Sequence, residues 1–540
     1  MTKTKRVLSL ALALLLAFSC FAAPVFAAGA EQTDSAYSVS ERLEHGFYQV
    51  VDKLIRLLGR FLNMVIPGKD WAGKIPSLRS YTPEQFYPGK DSFDAAPAPD
   101  AEWSMGYAAR SFLDGIDATD GTYFMAGSLE AFKGRAAVKV LDDQGVVSWA
   151  LSDGDTTVTF SSVDGFGLTR GDVREIRARL ADFAAENGID SINVGALHQH
   201  SGIDTLGLGA PLVPAVLKNP WASMFYEDGL VQGKNPAFME ALYTAVTESV
   251  IEAVEDMTAG QLYYGSADAS AVMHDKRDPA VFDPDIVRLR FVPDDASRTE
   301  IWVTEAGIHP VSLGAGGDQV SGDFPYYLRE YVAENDGARL AFIQGAELAI
   351  TNTVESVPVD ETKGDVARAA AVGEALGRAL EGITEEKALP ALLNVSIREV
   401  KVPVDNPVHT LAGREALLSS VFVRDGLGYD VITELGYMEL GGTLGVVTVP
   451  GEIDPAILFG GAISAQESWT GESWDYTPWA ETCGAERLVC FGLCNDQIGY
   501  ILCGNDIRSM LTENEEINAV SVNSAAVLTQ AFEALIKEVK

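Results

Sequence analysis

Apolar residues recur every three or four positions over residues 38–66: Phe47, Val50, Val51, Leu54, Leu57, Leu58, Phe61, Leu62 and Val65. This spacing predicts an amphipathic helix. Ser38 and Glu41 supply a capping box at its start, and Pro67-Gly68 stops it. The same period predicts helices over 171–187, 236–257, 325–335, 362–381 and 523–538. Short runs rich in β-branched residues predict strands over 136–141, 157–163, 192–198, 286–292, 300–305, 339–345, 393–402 and 443–449. Alternating strands and helices point to an α/β fold, with mixed sheets flanked by helices. Residues 101–540 read as one large domain, and 31–100 as an N-terminal amphipathic helix and linker. The stretch 67–100 is dense in Pro, Gly, Asp and Ser and reads as a linker or an irregular wrapping segment. No internal repeat is apparent.

Asp52, Lys53, Arg56 and Arg60 forbid a transmembrane reading of the 38–66 helix. Two readings remain: a helix packed on the main domain, or an interfacial helix making peripheral membrane contact. Wide apolar faces usually find protein, which favours the first.

Residues 1–30 have the form of a secretory signal peptide. Lys3, Lys5 and Arg6 precede an apolar run from Val7 to Ser19, and small residues follow around Ala27. The expected location is therefore secreted or extracellular, including association with a cell surface. The formal charge is −37. A surface this acidic excludes nucleic acid as a partner, but not a neutral amphiphile. Beyond the signal region lie Cys483, Cys490, Cys494 and Cys503. They permit two disulfides, buried free thiols or a metal cluster, and their spacing does not favour the paired C-x2-C of zinc ribbons.

The chain has six histidines, and two of them, His198 and His200, close an apolar run. In an extended strand, alternation would carry both onto one face. Together they offer a metal ligand and a neighbouring acid–base, or simply two hydrogen-bonded loop histidines. His309 also follows an apolar strand, with Pro310 behind it. His45, His274 and His409 lack such a setting. Glu452 follows Val446, Val447 and Val449 across a Pro-Gly turn. It is either a positioned carboxylate or the N-terminal acid of a helix over 454–466. Tyr500 reads as a core aromatic or a site phenol.

The segments "ALHQHSGIDTLG", "HPVSLGAGGDQVSGDFPYYLREYV", "LAFIQGA", "VTVPGEID" and "FGLCNDQIGYI" occur in this order. With "VTFSSVDGFGLTRGDVREIRARL" and "FDPDIVRLRFVPDD", they resemble the catalytic domain of the neutral/alkaline, non-lysosomal ceramidase family over residues 101–540. The resemblance implies a Zn²⁺ site with His198, His309, Glu452 and Tyr500 as ligands. It places His200 beside the metal as an acid–base or carbonyl-orienting group. The implied substrate is ceramide or another lipid-like N-acyl amphiphile, cleaved by metal-activated water. Where the family carries a Gly-Asp-Val-Ser-Pro-type segment, this chain reads "LAITN". Thr351 stands in place of the functional serine, Ala349 of the aspartate and Leu348 of the glycine. Thr351 keeps a hydroxyl on a stiffer, β-branched side chain. The chain ends with "SAAVLTQAFEALIKEV", so the additional immunoglobulin-like domain of full ceramidases is expected to be absent. Two further readings stay open: a non-catalytic metal- or lipid-binding protein on the same scaffold, and a metallopeptidase or metalloesterase.

Overall fold

The computed structural model describes residues 37–128, 132–212, 214, 233–352, 357–415 and 417–540. The expected signal peptide lies outside them. Eight strands form the main path of the larger sheet: β1 (Trp103–Ser111), β2 (Gly145–Ser152), β3 (Thr157–Val163), β4 (Ser191–Ala196), β5 (Thr258–Asp268), β6 (Asp285–Pro293), β7 (Ile301–Ala306) and β8 (Arg339–Gln344). Their order is β8-β7-β6-β5-β1-β2-β3-β4, with a short strand Lys387–Leu389 added against β5. Every neighbouring pair on the path is antiparallel except the outermost ones, β7–β8 and β3–β4, which are parallel. A parallel pair needs a crossover connection. Helix α2 (Arg170–Asn187) links β3 to β4, and the segment containing helix α4 (Asp323–Asn335) links β7 to β8. The two halves of the sheet thus share one layout, although no repeat is legible in the residues.

The second sheet contains β9 (Leu393–Pro403), β10 (Phe422–Asp425), β11 (Gly428–Leu440), β12 (Leu444–Thr448) and β13 (Arg487–Phe491). Its path is β9-β11-β12-β13, β10 pairs with β11, and only β12–β13 is parallel. The sheets pack face to face. Trp149 of β2 stacks on Phe160 of β3 at 4.7 Å, and Phe491 of β13 meets Phe160 edge-on at 5.2 Å. Such edge-to-face contacts follow the ring quadrupoles and add to burial. Val395, Ile397, Met438 and Val446 complete this core from the second sheet.

Helices cover both outer faces. Helix α2, capped by Thr169 and Asp172, and α3 (Pro236–Glu255), capped by Asn235, pack on one half of the large sheet. Helix α4 and α5 (Ala367–Glu381) pack on the other half. Gly373 and Gly377 let these two approach closely, because a Cβ at Gly377 would lie 2.2 Å from the Tyr331 ring. Helix α7 (Ser524–Val539) closes the second sheet through Leu528, Phe532 and Leu535. The result is a helix–sheet–sheet–helix sandwich, as the α/β pattern predicts.

Some local expectations change. The expected strand over 136–141 shrinks to Lys139–Val140, whose side chains are exposed. The expected helix over 362–381 starts at Ala367, because Gly364 adopts φ +63 in the preceding turn. Residues 67–100 are the wrapping segment: Lys90 N–H donates to Val395 of β9, and Phe93 stacks on Tyr437 of β11. Cys483, Cys490, Cys494 and Cys503 are buried free thiols, so neither disulfides nor a thiolate metal cluster forms among them.

The larger correction concerns α1 (Val39–Val65). It docks on the domain as favoured, but through its polar face. Arg56 pairs with Asp405, Ser509 donates to Asp52 at 3.1 Å, and His45 stacks on Trp469 at 3.6 Å. Gly59 touches α6 (Pro407–Arg414), where a Cβ would meet Pro407 at 2.1 Å. The wide apolar face points away from protein.

Candidate metal centre

The site is assembled where strands from both sheets end. β4 ends at Ala196, two residues before His198, so simple strand alternation does not place the histidines. His198 instead adopts φ +61, a left-handed conformation costly for a side chain with a Cβ. That reversal brings both rings inward. Gln199 turns away, donating to Asp164 Oδ1 at 3.0 Å and to the Gly322 carbonyl at 2.8 Å. His309 follows β7, its backbone bridged to Thr351. Glu452 follows β12 and lies in register with Tyr500 in a short parallel ladder, Glu452–Ile453 against Tyr500–Ile501. Glu452 is therefore no helix N-terminal acid. The helix after it covers only Pro455–Phe459, and its cap is Asp454. The loop carrying Tyr500 is pinned to β4: Asn495 N–H donates to Val194 at 2.8 Å, and Asn495 Oδ1 accepts from Val194 N–H.

The three imidazoles share one hydrogen-bond arrangement. His198 Nδ1 lies 2.7 Å from the Phe166 carbonyl, His309 Nδ1 2.8 Å from Ile350 and His200 Nδ1 3.2 Å from Gly127. A carbonyl only accepts, so each Nδ1 carries the proton and each Nε2 presents a lone pair. Glu452 Oε2 lies 3.2 Å from His309 Nε2 and 3.4 Å from His198 Nε2. Its Oε1 accepts from Gln497 Nε2 at 3.0 Å. His198 Nε2, His200 Nε2 and Glu347 Oε1 are buried without a hydrogen-bond partner. Buried orphan atoms are uncommon and call for an explanation such as an ion.

Ligand atoms from His198, His309, Glu347 and Glu452 fall within 4.8 Å of one another, and so do those of His198, His200 and His309. Two lone-pair imidazoles and a carboxylate suit Zn²⁺ or a similar divalent ion, so the residues fit the implied metal. Burial depresses the basicity of His200 and His309 and keeps both neutral. Burial raises the Glu452 carboxyl, and protonation of the His198 or His309 imidazole beside it would bring it well below the usual carboxylate range. Burial, reinforced by Glu452, pushes Glu347 well above that range. Burial, then Glu452, likewise keeps the Tyr500 phenol protonated.

Of the residues picked from sequence, His198, His200, His309, Glu452 and Tyr500 converge here. Thr351 is buried and joins the group through its backbone beside His309. In its segment, the left-handed backbone falls on Ala349, at φ +63, rather than on Leu348 in the family's glycine position. Glu347 is the residue missed. It follows β8, accepts from Gln344 and lies 3.5 Å from His309 Nδ1. Its signal was a second carboxylate just beyond a strand end, in the same setting as Glu452.

A cavity of about 200 Å³ opens onto the centre. His200, Glu452, Gln497 and Tyr500 of the centre are among its lining. The remaining lining is mostly apolar, with Leu206, Leu208, Leu212, Leu411, Leu417 and Leu418, and includes the polar His409, Asn514 and Asn518.

Comparison with solved structures gives neutral ceramidase from Pseudomonas aeruginosa at a TM-score of 0.60 and 15% identity, over 82% of this chain and 75% of that one. The fold is that of the neutral ceramidases. A second structure, a ceramidase complexed with C2, aligns at a TM-score of 0.57 and 14% identity, over 81% and 75% of the two chains. No protein-family model matches the sequence, and no curated protein does. At this divergence the shared fold positions the strand ends, and the chemistry rests on the side chains found there.

Proposed function

We propose that this chain is an exported, zinc-dependent hydrolase of the N-acyl amide bond in ceramide or a related N-acyl amphiphile. One observation carries the reading: imidazole lone pairs converge with a carboxylate at the wall of a leucine-rich cavity. The ceramidase fold supports the substrate class. His198, His309 and Glu452 would hold the ion, with Tyr500 completing the set and Glu347 adjoining it. A bound divalent ion supplies Lewis acidity toward the amide carbonyl and lowers the pKa of water to about 7. His200, neutral with a bare Nε2, takes up the proton lost by the attacking water and returns it to the departing nitrogen. The Tyr500 phenol, kept protonated, donates to the carbonyl oxygen as it gains charge. The leucines hold the acyl chain and exclude bulk water.

A second reading, a metal- or lipid-binder without turnover, is favoured by the altered segment around Ala349 and Thr351. Turnover of a fluorogenic N-acyl amide separates the two. The reading expects hydrolysis by zinc-loaded protein, loss on chelation and loss in His198→Ala. Bound zinc with no turnover of any amide or ester would leave the binder.

A further inference from the structure

Helix α1 is mounted with its apolar side outward. Leu43, Phe47, Val50, Leu54, Leu57, Leu58, Phe61 and Met64 are each 51–72% exposed. They repeat at helical spacing along one face, roughly 33 Å long at 1.5 Å per residue. Soluble proteins rarely expose a continuous apolar surface on this scale without a use for it. The orientation is held by specific polar contacts. Asp52, Arg56 and Asn63 are tied to Ser509, Asp405 and Arg414, and Gln49 donates to the Trp469 carbonyl. A helix seeking the core would face the other way.

We propose that α1 is an interfacial helix that docks this protein on a zwitterionic lipid surface. Three features select this occupant. Among the described residues, no helix is long and apolar enough to cross a membrane, so α1 lies on a bilayer rather than through it. The exposed charges of the helix nearly balance, Glu41 and Glu44 against Arg42, Lys53 and Arg60. With −37 on the whole chain, attachment is driven by apolar area and not by anionic headgroups. Trp71, just past the helix and half exposed, adds an aromatic of the type enriched at bilayer interfaces. The protein-facing side of the same helix meets the cavity wall: the buried Leu62 and Ile66 of α1 pack in one cluster with Leu206, Leu212, Leu417 and Leu418. The helix therefore sets the cavity's apolar wall beside the surface from which an amphiphile would enter.

The test is co-flotation of the full chain with phosphatidylcholine vesicles at low and at 0.5 M salt. Leu54→Glu/Leu57→Glu/Phe61→Glu is compared with Leu427→Glu, which alters a hairpin tip that is 97% exposed. All substituted positions are exposed, so melting temperatures should match wild type. Wild type and Leu427→Glu should float at both salt concentrations, and the triple variant should bind about tenfold less or worse. Absence of wild-type flotation, or flotation only with anionic vesicles at low salt, overturns the proposal. So does a wild-type dimer that the triple variant splits, without vesicle binding, because the face then joins two copies. Flotation needs no turnover, so its failure leaves the hydrolase reading standing, and an inert protein that floats leaves the docking surface standing.

Discussion

Replacing Gln497 with leucine tests how the centre is positioned. Gln497 is buried and touches the group only through Nε2, which donates to Glu452 Oε1 at 3.0 Å. Leucine keeps most of the volume and removes the donor. A hydrogen bond to a charged acceptor contributes about 1.5–3 kcal/mol. At about 1.4 kcal/mol per tenfold, that is a ten- to hundredfold effect, the range found for groups that orient metal ligands. Without the amide, Glu452 is free to rotate away from His198 and His309. Zinc affinity, measured by competition with a fluorescent chelator, should fall by about ten- to hundredfold. Amide hydrolysis should fall in proportion at limiting zinc and recover in excess, because Gln497 acts on the ion through Glu452. An affinity within twofold of wild type would refute the reasoning. Loss of activity that excess zinc does not restore would place Gln497 in the chemistry itself.

Three further substitutions probe other groups. His200→Ala should retain zinc within about threefold while hydrolysis drops by about 10²–10⁴, the usual contribution of a general acid–base; loss of zinc instead would make His200 a ligand. Glu347→Gln should weaken zinc binding by about tenfold or more, and an unchanged affinity would reduce Glu347 to a packing role against Gln344. Burial pushes the Asp496 carboxyl up to about 6, against the hydrogen bonds and the Arg170 charge that oppose the shift. Its folded value exceeds the unfolded one, so its stabilising contribution is present below about pH 4 and is lost as pH rises through 6. Two units are worth about 3 kcal/mol. Asp496→Asn should therefore gain stability over wild type between pH 4 and pH 7 in denaturant melts of the metal-free protein, and parallel pH curves would contradict this.

The elements legible in the sequence were those with a one-sided pattern. The helices over 170–187, 236–255 and 524–539 and the strands over 157–163, 285–293 and 393–403 lie within a few residues of their expected spans. The strands the pattern did not bring out have mixed faces. β2 buries Ser148, which bonds to Ser161 and Ser249 across the sheet and helix, and blurs the alternation. β11 buries Glu434, stabilised by Arg177 and Arg170 from α2, a pairing that spacing along the chain cannot reveal. His198 and His309 were readable because each follows an apolar strand. Glu347 also lies just past a strand end, but no Pro-Gly turn precedes it as one precedes Glu452, so its segment carries no such mark. The mounting of α1 was also hidden. Its polar partners, Asp405, Arg414, Trp469 and Ser509, are hundreds of residues away, and only their positions in space decide which face turns inward.

The account depends on His198, His309 and Glu452 closing around one divalent ion. Elemental analysis after dialysis against metal-free buffer measures this without reference to turnover. Wild type should hold about one zinc per chain, and His198→Ala/His309→Ala should hold less than about a tenth of that, since only carboxylates and a phenol would remain beside His200. A wild-type protein without the ion, or a double variant that keeps it in full, would contradict the account.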